Sequence, residues 1–510
     1  MRLFLFVPQE MRRKQLRHNR TTQERRTLPR NRNCAELPEV WRSAALRLFC
    51  FAEEVFMANT YEEKLGTEKM LPLILKMAIP SVAAQLVNLL YSIVDRIYIG
   101  HIPEIGTDAL AGIGVTSSVI MLVAAFANIV GGGGAPLASI ALGKGDRERA
   151  KRILGNGFGL LVIFAAVTSA AVYIFMEPLL LLTGASEATI GYSMDYLSVY
   201  MTGTLFVMLA TGLNTFINAQ GRPGIGMLSV IIGALLNVVL DPLFIYTAGM
   251  GVRGAALATV ISQAFSAAWV VGFLASSKAS LRLEKRYLRF DGSVVGPIFA
   301  LGAAPFVMAS TESLVGFVLN GSLKNYGDIY VSTLTVLQSA MQFVSIPMAG
   351  FGQGIVPVVS YNYGHGSYDR VKQAFRIIVA VLFTFNFAMI LTMVMFPGAV
   401  ASIFNDDPVL GEKVVHALPL FMTGMLIFGL QRACQNMFVA LGQAKTSLFI
   451  ALLRKVILLI PLALILPHWF GVDGVFLAES CADFTAATLC TVIFSVRFPK
   501  ILAGAKEKKL

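Results

Sequence analysis

Apolar stretches of about 20 residues, nearly free of charge and divided by short polar segments, recur along this chain and restrict its folding more than any other feature. A helix needs about that length to cross a bilayer, and in lipid each backbone polar group must be satisfied within its own segment, so such stretches are helical. Period-two alternation of the kind that builds a membrane β-barrel is absent. Only 14% of the residues are charged, against roughly 25% in soluble domains, and a water-soluble fold of this composition would expose apolar surface it has no means to cover.

The hydropathy pattern predicts an all-α membrane protein with twelve spans. Their approximate limits are 71–99, 109–133, 152–175, 193–215, 223–246, 252–275, 294–320, 330–356, 373–397, 414–440, 446–467 and 473–497. Alternate loops then differ in charge. One set carries 15 Lys and Arg, among them Lys144, Arg149, Arg222, Arg286, Arg370 and Lys445, whereas the other carries Arg253, Lys324 and Lys413. The positive-inside rule places the basic set in the cytoplasm, so both termini are cytoplasmic, as an even number of spans requires. The net charge of +12 follows this topology and a basic N-terminal segment, which gives no reason to invoke nucleic acid.

That segment, residues 1–56, holds eleven Arg and one Lys against six Glu without a sustained apolar run. It reads either as a disordered basic arm near anionic lipid or as sequence upstream of a start at Met57. The five cysteines form no C-x-x-C pair or His/Cys cluster, and Cys434, Cys481 and Cys490 read as packing residues.

The chain also repeats itself at a spacing near 221. PLASIALGKGDRERAKR from Pro136 matches PVVSYNYGHGSYDRVKQ from Pro357, FINAQGRP around Gly221 matches FVALGQAK around Gly442, and GVRGAALAT at Gly251 matches GVDGVFLAE at Gly471. Pro80 is paired with Pro305 by letting the spacing drift to 225. Because the matched loops lie on one side, the repeat is parallel, a plan that builds transporters with substrate between two lobes. The expected units are an N-lobe at 57–275, a cytoplasmic linker at 276–292, a C-lobe at 293–498 and a cytoplasmic tail at 499–510. The Gly run 131–134 is not followed by G-K-[ST], so it is no ATP loop, and transport must be ion-driven or passive.

Ionisable residues inside spans cost roughly 2.5–3.5 kcal/mol on insertion scales and are functional candidates. The first half carries Asp95 and Asp241. Asn237 and Asp241, at i and i+4, share a helix face, and Pro242 removes a backbone donor, freeing the carbonyl of Val238. At about 1.5 Å per residue, Asp95, Asn237, Asp241 and Thr259 fall within about 12 Å of the outer boundary and can form one pocket. The second half carries Glu312, Gln338, Gln342, Gln435, Glu479 and Asp483, with Glu479 and Asp483 again at i and i+4 and matched to Thr259 and Gln263. Arg96 and Lys455 are expected to snorkel or line the rims, and Arg454 to face the cavity.

VDRIYIGHIP at the end of span one and LNVVLDPLFIYTAGMGVRGAALATVIS across spans five and six resemble the multidrug and toxic compound extrusion (MATE) family, with the MepA-like bacterial branch nearest. The resemblance runs from about Met57 to the end. It implies two six-helix bundles and multidrug efflux by H+ or Na+ antiport through alternating access in the cytoplasmic (inner) membrane, with no cofactor and no enzymatic activity. On that basis Asp95, Asn237, Asp241 and Thr259 would bind the coupling ion, with Na+ at Asp95, Asn237 and Asp241. Glu312, Gln338, Gln342, Glu479 and Asp483 form a further candidate cation or substrate site, and Pro80, Pro242 and Pro305 are candidate hinges. The expected substrates are cationic amphipathic molecules, and the remaining partner is membrane lipid. The alternative is a lipid-linked oligosaccharide flippase, which would want a strongly basic cavity; an intramembrane enzyme lacks motif support.

Overall fold

The computed structural model describes residues 61–404 and 407–507, and the described residues contain helices and no strands. The N-terminal extension expected at 1–56 lies outside the described residues. Among the described residues eleven helices have the length and apolarity to cross a membrane, and a bent pair, taken as one span, brings the number to twelve. In chain order they are α1 (Met70–Gly100), α2 (Gly106–Gly143), α3 (Arg147–Ile174), α4 (Ile190–Thr202 with Thr204–Ala219), α5 (Pro223–Thr247), α6 (Gly251–Ala275), α7 (Gly292–Lys324), α8 (Asp328–His365), α9 (Tyr368–Met395), α10 (Pro408–Ala440), α11 (Ala444–Phe470) and α12 (Val472–Glu507). The twelve-span expectation holds, with α12 continuing beyond its expected limit at 497.

The bend in α4 is 60° and falls at Gly203. A Cβ there would stand 2.6 Å from the Val260 side chain of α6, so the absence of a side chain lets the kink press against its neighbour. Other breaks follow proline. Pro242 has no N–H to continue the ladder of α5, and the next five residues, Leu243–Thr247, are π-helical. In α11 the π-helical stretch Leu453–Leu459 precedes Pro461.

The two halves keep the 221-residue register in their contacts. Ser139 donates to Ala219 O at 3.4 Å and Ser360 to Ala440 O at 2.8 Å. Asn214 donates to Gly226 O at 3.1 Å, and its counterpart Gln435 to Ser447 O at 3.1 Å. Where the halves meet, a Cβ on Gly133 of α2 would lie 2.3 Å from Ile298 O of α7, and one on Gly354 of α8 would lie 2.5 Å from Met77 O of α1. These paired contacts hold α1 and α7 to the 221 register. Pro305 therefore lies one turn beyond the counterpart of Pro80, and the pairing at a spacing of 225 is corrected: the prolines sit at different heights in equivalent helices.

The segment joining α6 to α7 is pinned to α3. Buried Asn156 donates to Arg289 O at 3.2 Å and to Tyr287 O at 3.4 Å, and its Oδ1 accepts from Asp291 N at 2.9 Å. Lys151 donates to Glu284 at 2.9 Å, a bond that holds the Glu284 carboxyl below its ordinary range. Asp291 caps α7 by accepting from Ser293 Oγ at 2.7 Å and from Ser293 N at 2.9 Å, which lowers the affinity of its carboxylate for a proton.

Candidate functional site

Asn237 and Asp241 lie one turn apart on α5, and both are buried because that face packs against α1 and α6. Asn237 Nδ2 donates to Asp241 Oδ1 at 3.1 Å and reaches Thr259 Oγ1 of α6 at 3.3 Å. Asp95 of α1 lies close enough to Asp241 for the two carboxylates to interact electrostatically. The structure thus brings together the four residues of the first-half set. Three oxygens in the cluster, Asp95 Oδ1, Asn237 Oδ1 and Asp241 Oδ2, are buried without a hydrogen-bond donor. Oxygens left in this way are costly by themselves and suited to a small positive ion.

Three tyrosines enclose the cluster, and sequence reasoning missed them. Tyr91 stands one turn before Asp95 on α1, within electrostatic reach of both carboxylates, while Tyr196 of α4 lies beside Thr259. Tyr196 and Tyr200 are buried and stack with ring centroids 6.0 Å apart. The available signal was the i, i+4 spacing of Tyr196 and Tyr200 on one helix face, which an apolar reading absorbs as packing.

The second half differs in kind. Arg454 of α11 binds Asp483 and donates to Glu479 Oε1 at 3.3 Å, and Lys455 stands 3.9 Å from that same oxygen and 3.2 Å from Glu312 Oε2. Adjacent residues on an α-helix diverge by about 100°. The π-helical turn at Leu453–Leu459 widens the helix here, and both cations reach one carboxylate. Lys455 is only 5% exposed, so its expected position at a rim is corrected: salt bridges to two acids draw it inside. Arg96 is exposed on α1.

Glu312, Glu479 and Asp483 are therefore each salt-bridged to Arg454 or Lys455. By the 221 register Arg454 is the counterpart of Gly233, eight residues or about 12 Å to the basic side of Asp241. The two polar clusters thus differ in depth. Gln338 and Gln342 do not join the second one: neither lines its cavity, and Gln342 is exposed on α8.

A small cavity of about 30 Å³ adjoins the second cluster, lined among others by Met308, Glu312, Phe428, Arg432, Ile450 and Lys455. The Arg454 guanidinium lies over the Phe428 ring at 4.3 Å and that of Arg432 at 5.8 Å.

Comparison with known proteins returns one architecture. The MatE family model matches residues 80–243 and 305–465. The multidrug export protein MepA of Staphylococcus haemolyticus is 25% identical over 422 residues, 82% of this chain and 92% of its own length. MepA of Staphylococcus aureus (strain MRSA252) is 24% identical over 438 residues, 84% and 94% of the two chains. A solved structure described as a MATE in the bent conformation is similar with a TM-score of 0.80 at 20% identity, covering 89% of this chain and 98% of that one.

Proposed function

The chain belongs to the MatE family of membrane transporters, and from that premise we propose that it exports small organic molecules in exchange for H+ or Na+ moving inward. The family and the MepA relatives make multidrug export the first expectation. Its place is the cytoplasmic membrane, with both termini on the cytoplasmic side.

One observation carries the coupling half of this reading. Two carboxylates from different helices, Asp95 on α1 and Asp241 on α5, approach each other with three buried oxygens undonated around them. Facing carboxylates repel, and one positive ion between them removes the repulsion. Asn237 holds Asp241 on one side and Thr259 on the other, so it orients the oxygen set, while Asp95 travels with α1. Binding H+ or Na+ there favours close packing of α1 on α5, and release favours separation. That difference biases which side of the bundle opens. One ion crossing about 100 mV supplies about 2.3 kcal/mol, enough for roughly a 50-fold solute gradient.

The second cluster supports a single coupling site. Each of its three acids is salt-bridged to Arg454 or Lys455, and Arg432 beside them makes three cations facing three carboxylates, so a free ion gains little by entering.

The test is ethidium efflux from proteoliposomes with pH and Na+ gradients imposed separately. Asp95→Asn and Asp241→Asn should abolish gradient-driven efflux. Wild-type efflux from both variants, at equal protein content, would remove the proposed coupling site.

A further inference from the structure

Of the three described cations at the second cluster, Arg432 is the one in no salt bridge. It sits on α10 and lines the cavity beside Glu312, Phe428, Arg454 and Lys455. Its neighbours are spoken for: Arg454 is held by Asp483 and Glu479, and Lys455 by Glu312 and Glu479. Among the described residues Arg432 has no carboxylate or carbonyl partner, and its recorded contact is the Phe428 ring. A guanidinium carries five N–H donors in a planar fork that matches the two oxygens of a carboxylate.

From this geometry we propose that the cavity is a subsite for the carboxylate of an amphiphilic substrate, with Arg432 as its anchor. This inference rests on the export reading above and names one substrate class for it. A second cation is not drawn to the place, because Arg454 already covers the Phe428 ring and Lys455 already holds Glu312. Met308, Phe428 and Ile450 supply the apolar wall that an aromatic or aliphatic body needs beside the carboxylate. A lipid headgroup is the other source of an anion. Arg432 lies eight residues before the end of α10 at Ala440, about 12 Å inside the helix end. That depth favours a small molecule that places its carboxylate in the cavity over a headgroup held at the membrane surface.

The experiment compares 1-pyrenebutyrate with its methyl ester. Each is titrated by fluorescence against the full-length protein in phosphatidylcholine nanodiscs. The acid should bind about tenfold or more tightly than the ester. Arg432→Gln should erase that preference and Arg432→Lys should keep part of it, which separates lost charge from lost folding. Asp241→Asn, which stops coupled export on the reading above, should leave the preference intact, so the two ideas fail separately. Equal binding of acid and ester, or an unchanged preference in Arg432→Gln, overturns the proposal. Loss of acid binding when phosphatidylglycerol replaces phosphatidylcholine overturns it in favour of a lipid site.

Discussion

Gly143 and Gly364 stand 221 residues apart in sequence, and each packs against the helix that carries the other. A Cβ on Gly143 would lie 2.0 Å from Tyr361 O, and one on Gly364 would lie 2.1 Å from Ile140 O. Tyr361 is in turn the 221-register counterpart of Ile140, so the contact is nearly self-symmetric. It joins the ends of α2 and α8 beside the basic loops, where Gly145 and Gly366 end the two helices at φ +80° and +84°. Only glycine allows backbones this close. The contact closes the bundle on that side.

Enlarging either glycine should therefore push the bundle away from this closed form. Overpacking of this kind costs about 1–3 kcal/mol, a shift of roughly 5- to 150-fold in the population ratio. Gly143→Val and Gly364→Val should raise the labelling rate of cysteines placed between α2 and α8 on the basic side, and should slow efflux. Gly114→Ala, where an added Cβ meets nothing within 4 Å, should change neither. Equal labelling in all three would show that the contact does not gate.

Thr259 is the mildest point at which to probe the coupling site. Its hydroxyl meets Asn237 Nδ2 at 3.3 Å, a single bond worth about 0.5–1.5 kcal/mol. Thr259→Val should weaken coupling-ion affinity by roughly 2- to 10-fold, with Thr259→Ser close to wild type. The readout is the ion concentration that gives half-maximal ethidium efflux. A loss of maximal rate with unchanged ion dependence would place Thr259 outside the ion's reach.

The spans and the repeat were legible because both are written in residue class. Twenty apolar residues have few alternatives to a membrane helix, and glycines at backbone contacts such as Gly133 and Gly354 cannot be replaced without a clash. Asn237 and Asp241 were legible for the same reason, as polar residues at i, i+4 in an apolar span. Tyr91, Tyr196 and Tyr200 were not: tyrosine is amphipathic, and its place beside the carboxylates depends on how α1 and α4 turn. Lys455 was misplaced because α-helical geometry sends it away from Arg454, whereas the π-helical turn before Pro461 brings both inward. Pro305 was misaligned because proline identity was weighed above the glycine contacts that set the register.

The second-half network should behave as a structural unit. Arg454→Met would strand Asp483, which is 0% exposed, and leave Glu479 with Lys455 at 3.9 Å alone, and breaking a buried pair from one side costs about 3–5 kcal/mol. Thermal unfolding of the variant in detergent should begin well below wild type. Arg454→Met combined with Asp483→Asn should recover much of the loss, because one stranded charge is removed. No recovery in the double variant would mean that Arg454 stabilises through its packing on Phe428 instead.

Asn156 should govern how firmly the segment between α6 and α7 is held. Its side chain serves the backbone at Tyr287, Arg289 and Asp291, and no residue of similar size supplies both donor and acceptor in the same place. Asn156→Ala leaves those groups to water or to nothing, a loss of about 1–3 kcal/mol where they are buried. The segment contains Arg282, Lys285, Arg286 and Arg289, all trypsin sites. Brief trypsin digestion in proteoliposomes whose basic face is outward should cut Asn156→Ala at least several-fold faster than wild type, while cleavage after Arg253 on the opposite face stays unchanged. Lys151→Met should have a smaller effect, since its bond to Glu284 is near the surface and such pairs contribute about 0–1 kcal/mol. Equal cutting rates in Asn156→Ala and wild type would show that Lys151, Arg286 and the α7 cap hold the segment without it.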